Sequence, residues 1–94
     1  MKTDNKTADH LKSVLFGMAS ELVDNPEELD IQCTHTQGGT LLVFTVYPHT
    51  SDVGKVIGKG GRNASSMRTL MESIAAKHGT KIILEIPDMK RSKR

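Results

Sequence analysis

The chain has 94 residues, of which 26% are charged and 3% aromatic, and its formal net charge is +2. A chain of this size folds as one domain around a single small core, which leaves no space for a deep catalytic cavity. Its single cysteine, Cys33, cannot form an internal disulfide, and no apolar run approaches the roughly 18 residues of a membrane span. A signal-peptide pattern is also lacking, so we expect a cytoplasmic protein without a membrane partner.

The small net charge conceals a strong asymmetry along the chain. Residues 1–52 carry three lysines against eight acidic residues, a net of −5. Residues 53–94 carry ten lysines and arginines against three acidic residues, a net of +7. A basic half of this kind suits a polyanionic partner.

A first helix is predicted after a disordered polar start at residues 1–8. Thr7 or Asp9 would cap this helix, and Pro26 would end it, because the residue before a proline disfavours the α conformation. The helix has an apolar stripe at helical spacing, formed by Leu11, Val14, Leu15, Met18, Ala19, Leu22 and Val23.

Two strands follow, joined by a tight turn. Alternation of apolar and polar residues from Leu29 to Thr34 is typical of a half-buried strand, with Cys33 as a small core residue. The turn Gln37-Gly38-Gly39-Thr40 predicts a hairpin to a second strand at residues 41–47. This second strand is almost wholly apolar, so we expect it to be the most covered.

A glycine-rich stretch then separates two helices. Val53, Val56 and Ile57 share one face of a short helix, capped by Thr50 or Ser51. That helix stops at Gly58-Lys59-Gly60-Gly61, which we call the glycine turn, since consecutive glycines lose too much entropy to stay helical. Gly54 inside the short helix has two equally good explanations, close helix packing and close approach of a ligand.

A long helix runs from Arg62 or Asn63 to His78 and ends at Gly79. Its stripe is Ala64, Met67, Leu70, Met71, Ile74 and Ala75. A last strand covers residues 81–86, and the domain, residues 9–88, is followed by a basic tail at residues 89–94. The order α-β-β-α-α-β predicts an α+β fold, a three-stranded sheet with helices packed on one face.

The glycine turn is predicted to bind phosphate. Such a turn exposes backbone N–H groups beside a helix N-terminus, and both features attract anions. Lys55, Lys59 and Arg62 add positive charge around it, and the Ser65 hydroxyl follows one turn later. The stretch is therefore interpreted as a clamp for a nucleic-acid backbone.

The motif Val56-Ile57-Gly58-Lys59-Gly60-Gly61 resembles the Ile-Gly-x-x-Gly signature of the KH domain, and the element order resembles its bacterial type II form. More narrowly, three segments are similar to the small bacterial single-KH proteins of the KhpA family. These segments are Leu22-Val23-Asp24-Asn25-Pro26-Glu27-Glu28, Gly54-Lys55-Val56-Ile57-Gly58-Lys59 and Arg68-Thr69-Leu70. Gly60 departs from the family, which often has a larger side chain there.

The resemblance implies a protein that grips about four nucleotides of single-stranded RNA by their phosphates. It places nine residues at the RNA: Lys55, Val56, Ile57, Gly58, Lys59, Gly60, Gly61, Arg62 and Ser65. It also implies a post-transcriptional regulator or RNA chaperone without catalysis, cofactor, metal or small-molecule substrate. Pairing with itself, as a homodimer, or with a larger KH-containing protein, as a heterodimer, is a further implication.

Three alternatives remain open from the residues themselves. A nucleotide-binding enzyme is disfavoured, because the glycines have the wrong spacing for a Walker loop and no Ser or Thr follows the lysine. A DNA-binding helix-turn-helix matches locally but is disfavoured by the preceding hairpin. A protein-interaction module that pairs with another KH protein is the third. The four histidines lack paired metal spacing, so no metal site is expected.

Overall fold

The computed structural model of the chain describes residues 5–36, 38 and 40–87. Its helices are α1 (Asn5–Ser20), α2 (Val53–Ile57) and α3 (Arg62–Lys77), and its strands are β1 (Asp30–Thr36), β2 (Leu41–Tyr47) and β3 (Lys81–Glu85). Short 3₁₀ turns at Pro26–Glu28, Thr50–Asp52 and Lys59–Gly61 join them. The predicted order α-β-β-α-α-β and the α+β class are confirmed.

The three strands form one mixed sheet in the order β1-β2-β3. β1 pairs with β2 antiparallel, from Asp30 opposite Tyr47 to Thr36 opposite Leu41, which confirms the predicted hairpin. β3 pairs with β2 in parallel, from Leu41 opposite Lys81 to Thr45 opposite Glu85. Because parallel neighbours require a crossover, the segment carrying α2, the glycine turn and α3 must pass from one end of the sheet to the other.

All three helices contribute to the core on one face of the sheet. Alternate strand residues face it, and the buried set is Ile31, Leu42, Phe44, Val46, Ile82 and Leu84. The helices add a second buried set, Leu11, Leu15, Ala19, Val56, Met67, Met71 and Ala75. The opposite sheet face is open, since Val43 is only partly buried and its partner Ile83 is 44% exposed.

The first helix differs from its prediction at both ends. It begins at Asn5, because Ala8 extends the buried stripe of Leu11 and Leu15 by one turn. The predicted disorder is therefore wrong for residues 5–8. The helix ends at Ser20, where Glu21 and Leu22 donate to carbonyls three residues back and so tighten the last turn. Leu22 and Val23 lie beyond the helix but still pack against the core.

The third helix matches its predicted length but has a narrower apolar stripe. Met67, Met71 and Ala75 are buried, whereas Leu70 is 49% exposed. At about 100° per residue, Leu70 lies about 100° from the centre of that stripe, which turns it towards solvent. The helix ends as predicted at Gly79, where Gly79 N and Thr80 N donate to the carbonyls of Ala76 and Ala75.

Parts of three predictions lie outside the described residues. They are the first four residues of the polar start, two residues of the hairpin turn and the basic tail at residues 89–94.

Candidate nucleic-acid interface

The glycine turn has a backbone that only glycine adopts easily. Gly58, Gly60 and Gly61 all have positive φ angles, of 82°, 65° and 76°. Gly58 N closes α2 by donating to Gly54 O at 2.8 Å, and Gly61 N then donates back to Gly58 O at 3.0 Å. Side chains at these three positions would strain the backbone, and an Asp or Asn at Gly60 would strain it least. Lys59 is the residue of the turn that carries a side chain.

The turn presents donors and cations on one exposed surface. The N–H groups of Lys59 and Gly60 come first in a 3₁₀ turn, where the turn itself supplies no carbonyl partner. Gly61 is the N-cap of the 16-residue helix α3, so the positive end of that helix dipole lies beside the turn. Lys59, Arg62 and Ser65 are exposed around these groups. This arrangement suits an anion with several oxygens, such as a phosphate.

Two of the nine predicted site residues have a different environment from the one expected. Lys55 Nζ lies 3.4 Å from an Asp24 carboxylate oxygen and 4.0 Å from one of Asp52, so this cation is held by acids beside the turn. Val56 is fully buried and has no surface to offer to a base. Ile57 is half-buried and retains surface next to the turn.

Asp52, at the start of α2, is fully buried. Its carboxylate accepts hydrogen bonds from Asp24 N at 3.2 Å, from Asn25 N at 3.0 Å and from Asn25 Nδ2 at 3.1 Å. Burial alone would raise the pKa of Asp52, but these hydrogen bonds and the charge of Lys55 together lower it below the usual range. Asp52 thus ties the segment after α1 to the start of α2.

The cap before α2 also differs from the prediction. His49, rather than Thr50 or Ser51, supplies the acceptor, because His49 Nδ1 accepts from Ser51 N at 3.0 Å. Asn63 is a second residue that sequence reasoning missed. Its Nδ2 donates to Lys55 O at 2.8 Å, across the glycine turn. Asp52 and Asn63 both act on partners far along the chain, which no local pattern signals.

Arg68 of α3 is half-buried and donates from Nη2 to Leu84 O of the edge strand β3 at 3.2 Å. Further along, a pocket between α3 and β3 is lined by Glu72, Ala76, Thr80, Lys81 and Ile82. Arg68 is therefore bound to the sheet edge, unlike a side chain that projects from a recognition helix.

The fold and the turn together define a class of protein. Two helices joined by a Gly-x-x-Gly turn connect parallel strands of a three-stranded mixed sheet, and an α-β unit precedes them. This is a KH domain of the type II topology.

Comparison with known proteins narrows this class. A family model described as the KhpA/KhpB KH domain matches residues 12–86. The chain belongs to this family. It is 36% identical over 80 residues to the RNA-binding protein KhpA of Chlamydia caviae, covering 85% of this chain and 100% of that protein.

Two further relatives carry the same name. The RNA-binding protein KhpA of Aquifex aeolicus is 37% identical, with 81% of this chain and 94% of that protein covered. The RNA-binding protein KhpA of Caldanaerobacter subterraneus is 39% identical, with 73% of this chain and 89% of that protein covered. No solved structure matches the chain significantly.

Within residues 5–36, 38 and 40–87, no helix is both long and apolar enough to cross a membrane. Among the same residues, no three or more His, Cys, Asp or Glu side chains are grouped in a way that could hold a metal ion.

Proposed function

We propose that this protein binds single-stranded RNA by holding its phosphates at the glycine turn. The observation that carries the proposal is the exposed surface formed by the N–H groups of Lys59 and Gly60 with the side chains of Lys59 and Arg62. The relatives that match nearly the whole domain are named RNA-binding proteins, which supports RNA as the polyanion. About four nucleotides would be held in this way, the number that the Gly-x-x-Gly loop of a KH domain clamps.

The residues divide into two groups under this proposal. Gly58, Lys59, Gly60, Gly61, Arg62 and Ser65 surround the phosphates, and Ile57 contributes the apolar surface beside them. Lys55 and Val56 support the turn from behind, the first through its acidic partners and the second through the core.

Binding should be dominated by the RNA backbone and therefore sensitive to salt. The chain has only three aromatic residues, and the two described as exposed, Phe16 and Tyr47, lie on α1 and at the end of β2. Because stacking on aromatic side chains supplies much of the affinity in other single-strand binders, we expect modest affinity and weak sequence preference.

The finer roles stay predictions: a post-transcriptional regulator or RNA chaperone, in the cytoplasm, pairing with itself or a larger KH protein. Pairing would help, since two linked binding sites of about four nucleotides each gain avidity over one.

No catalysis is proposed. Burial raises the pKa of the Cys33 thiol, with Lys12 opposing and Asp9 adding to the effect, so little of the reactive thiolate exists at neutral pH.

The double substitution Lys59→Asp with Gly60→Asp tests the proposal. We expect it to abolish binding of a single-stranded RNA, because one acid replaces the Lys59 cation and a second adds a negative charge beside the Gly60 N–H group at the phosphate site. The fold should survive, since both positions are exposed and Asp tolerates positive φ better than most residues. Titration with labelled RNA and thermal melting measure the two effects.

A matched control is Lys12→Asp with Ser13→Asp, an exposed adjacent pair on α1 that changes the net charge by the same amount. This control should retain most of the affinity for single-stranded RNA.

Duplex DNA of the same sequence should bind less well than the RNA, and Arg68→Ala should lower RNA affinity less than the double substitution at the turn. Equal RNA affinity for both double variants and the unmodified protein would refute the clamp, while selective loss of duplex binding in Arg68→Ala would favour the helix-turn-helix alternative.

A further inference from the structure

We propose that Asn63 is a positioning residue that sets the geometry of the glycine turn for phosphate. This inference rests on the proposed function and adds a residue that the clamp requires but that does not itself carry a charge. The side chain of Asn63 joins the end of α2 to the first turn of α3, and the glycine turn lies between these two points.

The central contact is a hydrogen bond between the two helices. Asn63 Nδ2 donates to Lys55 O at 2.8 Å. Lys55 belongs to the last turn of the five-residue helix α2, where carbonyl groups have no partner within the helix. Asn63 thus supplies a donor that α2 cannot supply itself.

Residue 55 is consequently held on two sides. Its carbonyl is bound by Asn63, and its ammonium group lies near the carboxylates of Asp24 and Asp52. Asp52 in turn is fixed by the backbone of residues 24 and 25. The end of α2 is therefore bound to both α3 and the segment after α1. These contacts fix the position at which the glycine turn begins.

A second, steric contact places Asn63 against the turn itself. A Cβ atom built on Gly58 would lie 2.7 Å from Asn63 Cγ and 2.8 Å from both Asn63 Cβ and Asn63 N. The Asn63 side chain thus fills the space beside Gly58, whereas a Cβ atom on Gly60 or Gly61 would meet nothing within 4 Å. The first glycine of the turn packs on Asn63, and the two later glycines are open on the ligand side.

The position of Asn63 argues against an ordinary capping role. The N-cap of α3 is Gly61, and Asn63 lies two residues inside the helix, where asparagine is a poorer helix former than alanine. Its side chain bonds the carbonyl of another helix rather than an N–H group of its own first turn. The residue thus costs α3 some intrinsic stability and gains a link across the turn.

Two variants separate the hydrogen bond from the bulk of the side chain. Asn63→Leu keeps the branched shape and the number of side-chain heavy atoms beside Gly58 but has no donor, and Asn63→Ala removes both. We expect both to weaken binding of single-stranded RNA by about two- to tenfold, the range of one modest hydrogen bond. Their melting temperatures should stay close to that of the unmodified protein, because better helix formers offset the lost bond. Ser66→Ala, an exposed change in the same helix, is the matched control; it should leave RNA affinity unchanged and raise the melting temperature slightly through its better helix propensity.

Amide NMR spectra of the RNA-free proteins provide the readout that tells positioning from direct contact. In Asn63→Leu and Asn63→Ala the N–H signals of Gly58, Gly60 and Gly61 should shift, whereas in Ser66→Ala they should not. Weaker binding with unmoved glycine signals would overturn the inference, because Asn63 would then contact RNA directly. Weaker binding that follows a matching fall in melting temperature would overturn it too, since the side chain would then act on the whole fold.

Failure of this inference and failure of the proposed function give different results. If the unmodified protein does not bind single-stranded RNA, the proposed function fails. If it binds, and the double substitution at Lys59 and Gly60 abolishes binding while both Asn63 variants bind normally, only the positioning role is refuted.

Discussion

At the scale of single residues, Asp52 shows how a charge is accommodated in a small core. A buried carboxylate is costly unless its oxygens are hydrogen-bonded, and that of Asp52 accepts three hydrogen bonds and lies 4.0 Å from Lys55 Nζ. Two of the three donors are backbone N–H groups of Asp24 and Asn25, in a segment without regular secondary structure. Asp52 therefore gives this segment the anchoring that a helix or strand would otherwise provide.

Asp52→Asn should lower the melting temperature at neutral pH, because the amide has one acceptor oxygen where the carboxylate had two. The pKa of Asp52 is lower in the folded protein than its ordinary value of 3.8, so its charge stabilises the fold above that pH. This contribution is lost as the pH falls through the lowered folded value. Melting curves from neutral to acid pH should show a constant gap between the two proteins that narrows below about pH 4.

Asp24→Asn serves as the control for this series, because Asp24 has a 73% exposed side chain and accepts none of these buried bonds. It should change the melting temperature far less than Asp52→Asn. A gap for Asp52→Asn that persists unchanged in strong acid would show that the charge itself does not matter.

Residues with local signals were predictable, and residues with distant partners were not. Lys59 and Arg62 were placed at the turn because glycines and cations are adjacent in the sequence. Lys55 was placed at the turn for the same reason, but folding brings the acidic Asp24 next to it, which the sequence does not indicate. The bonds of Asp52 span 27 and 28 residues, and that of Asn63 crosses a turn whose shape depends on three positive φ angles.

At the scale of elements, α2 is a very short helix with a glycine as its second residue. Gly54 costs about 0.5–1 kcal/mol relative to alanine in a helix interior. Close packing, one of its two explanations from the sequence, is wrong, since a Cβ atom there would meet nothing within 4 Å. The glycine therefore leaves an open surface on α2, on the same short helix that leads into the glycine turn.

Gly54→Ala should raise the free energy of unfolding by about 0.5–1 kcal/mol, as expected for a solvent-exposed helical glycine. Gly17→Ala in α1 is the matched control, because its surroundings are equally empty. Denaturant titration should show similar gains for both. RNA affinity should fall only for Gly54→Ala if the ligand backbone approaches α2 at this position. An undiminished affinity would show that the ligand does not approach closely at Gly54.

The helices and strands themselves were predictable from apolar periodicity, but the residues at which they begin and end were not. β2 was expected to be the most covered strand because of its continuous apolar run, and α3 was recognised by its stripe and by Gly79. The start of α1 depends on the burial of Ala8, and the cap of the 3₁₀ turn before α2 depends on a histidine ring nitrogen. Both are tertiary effects that a short sequence window does not contain.

At the scale of the whole molecule, the main feature is the uneven distribution of charge along the chain. The acidic half of the chain supplies α1, β1 and β2, and the basic half supplies the glycine turn and α3. The basic tail at residues 89–94 lies outside the described residues, so its role stays a prediction. Its four cations are Lys90, Arg91, Lys93 and Arg94.

Truncation after Met89 should flatten the dependence of log affinity on log salt. Each phosphate neutralised on a single strand contributes about −0.7 to the slope, so four contacts could account for about 2.8. Because tail charges contact phosphate only part of the time, we expect a change of about 1–2. The melting temperature should not change, and affinity should fall equally for all RNA sequences; an identical slope would show that the tail does not take part.

The parallel pairing of β2 with β3 has a consequence for how the protein is made. The proposed RNA-binding surface lies in the connection between these strands, and closing so long a loop is entropically unfavourable until β3 adds its contacts. During synthesis β3 leaves the ribosome after every other strand and helix of the domain. A nascent chain that has already exposed all its glycines and cations would therefore still lack the fixed surface, and would acquire it only when the domain closes.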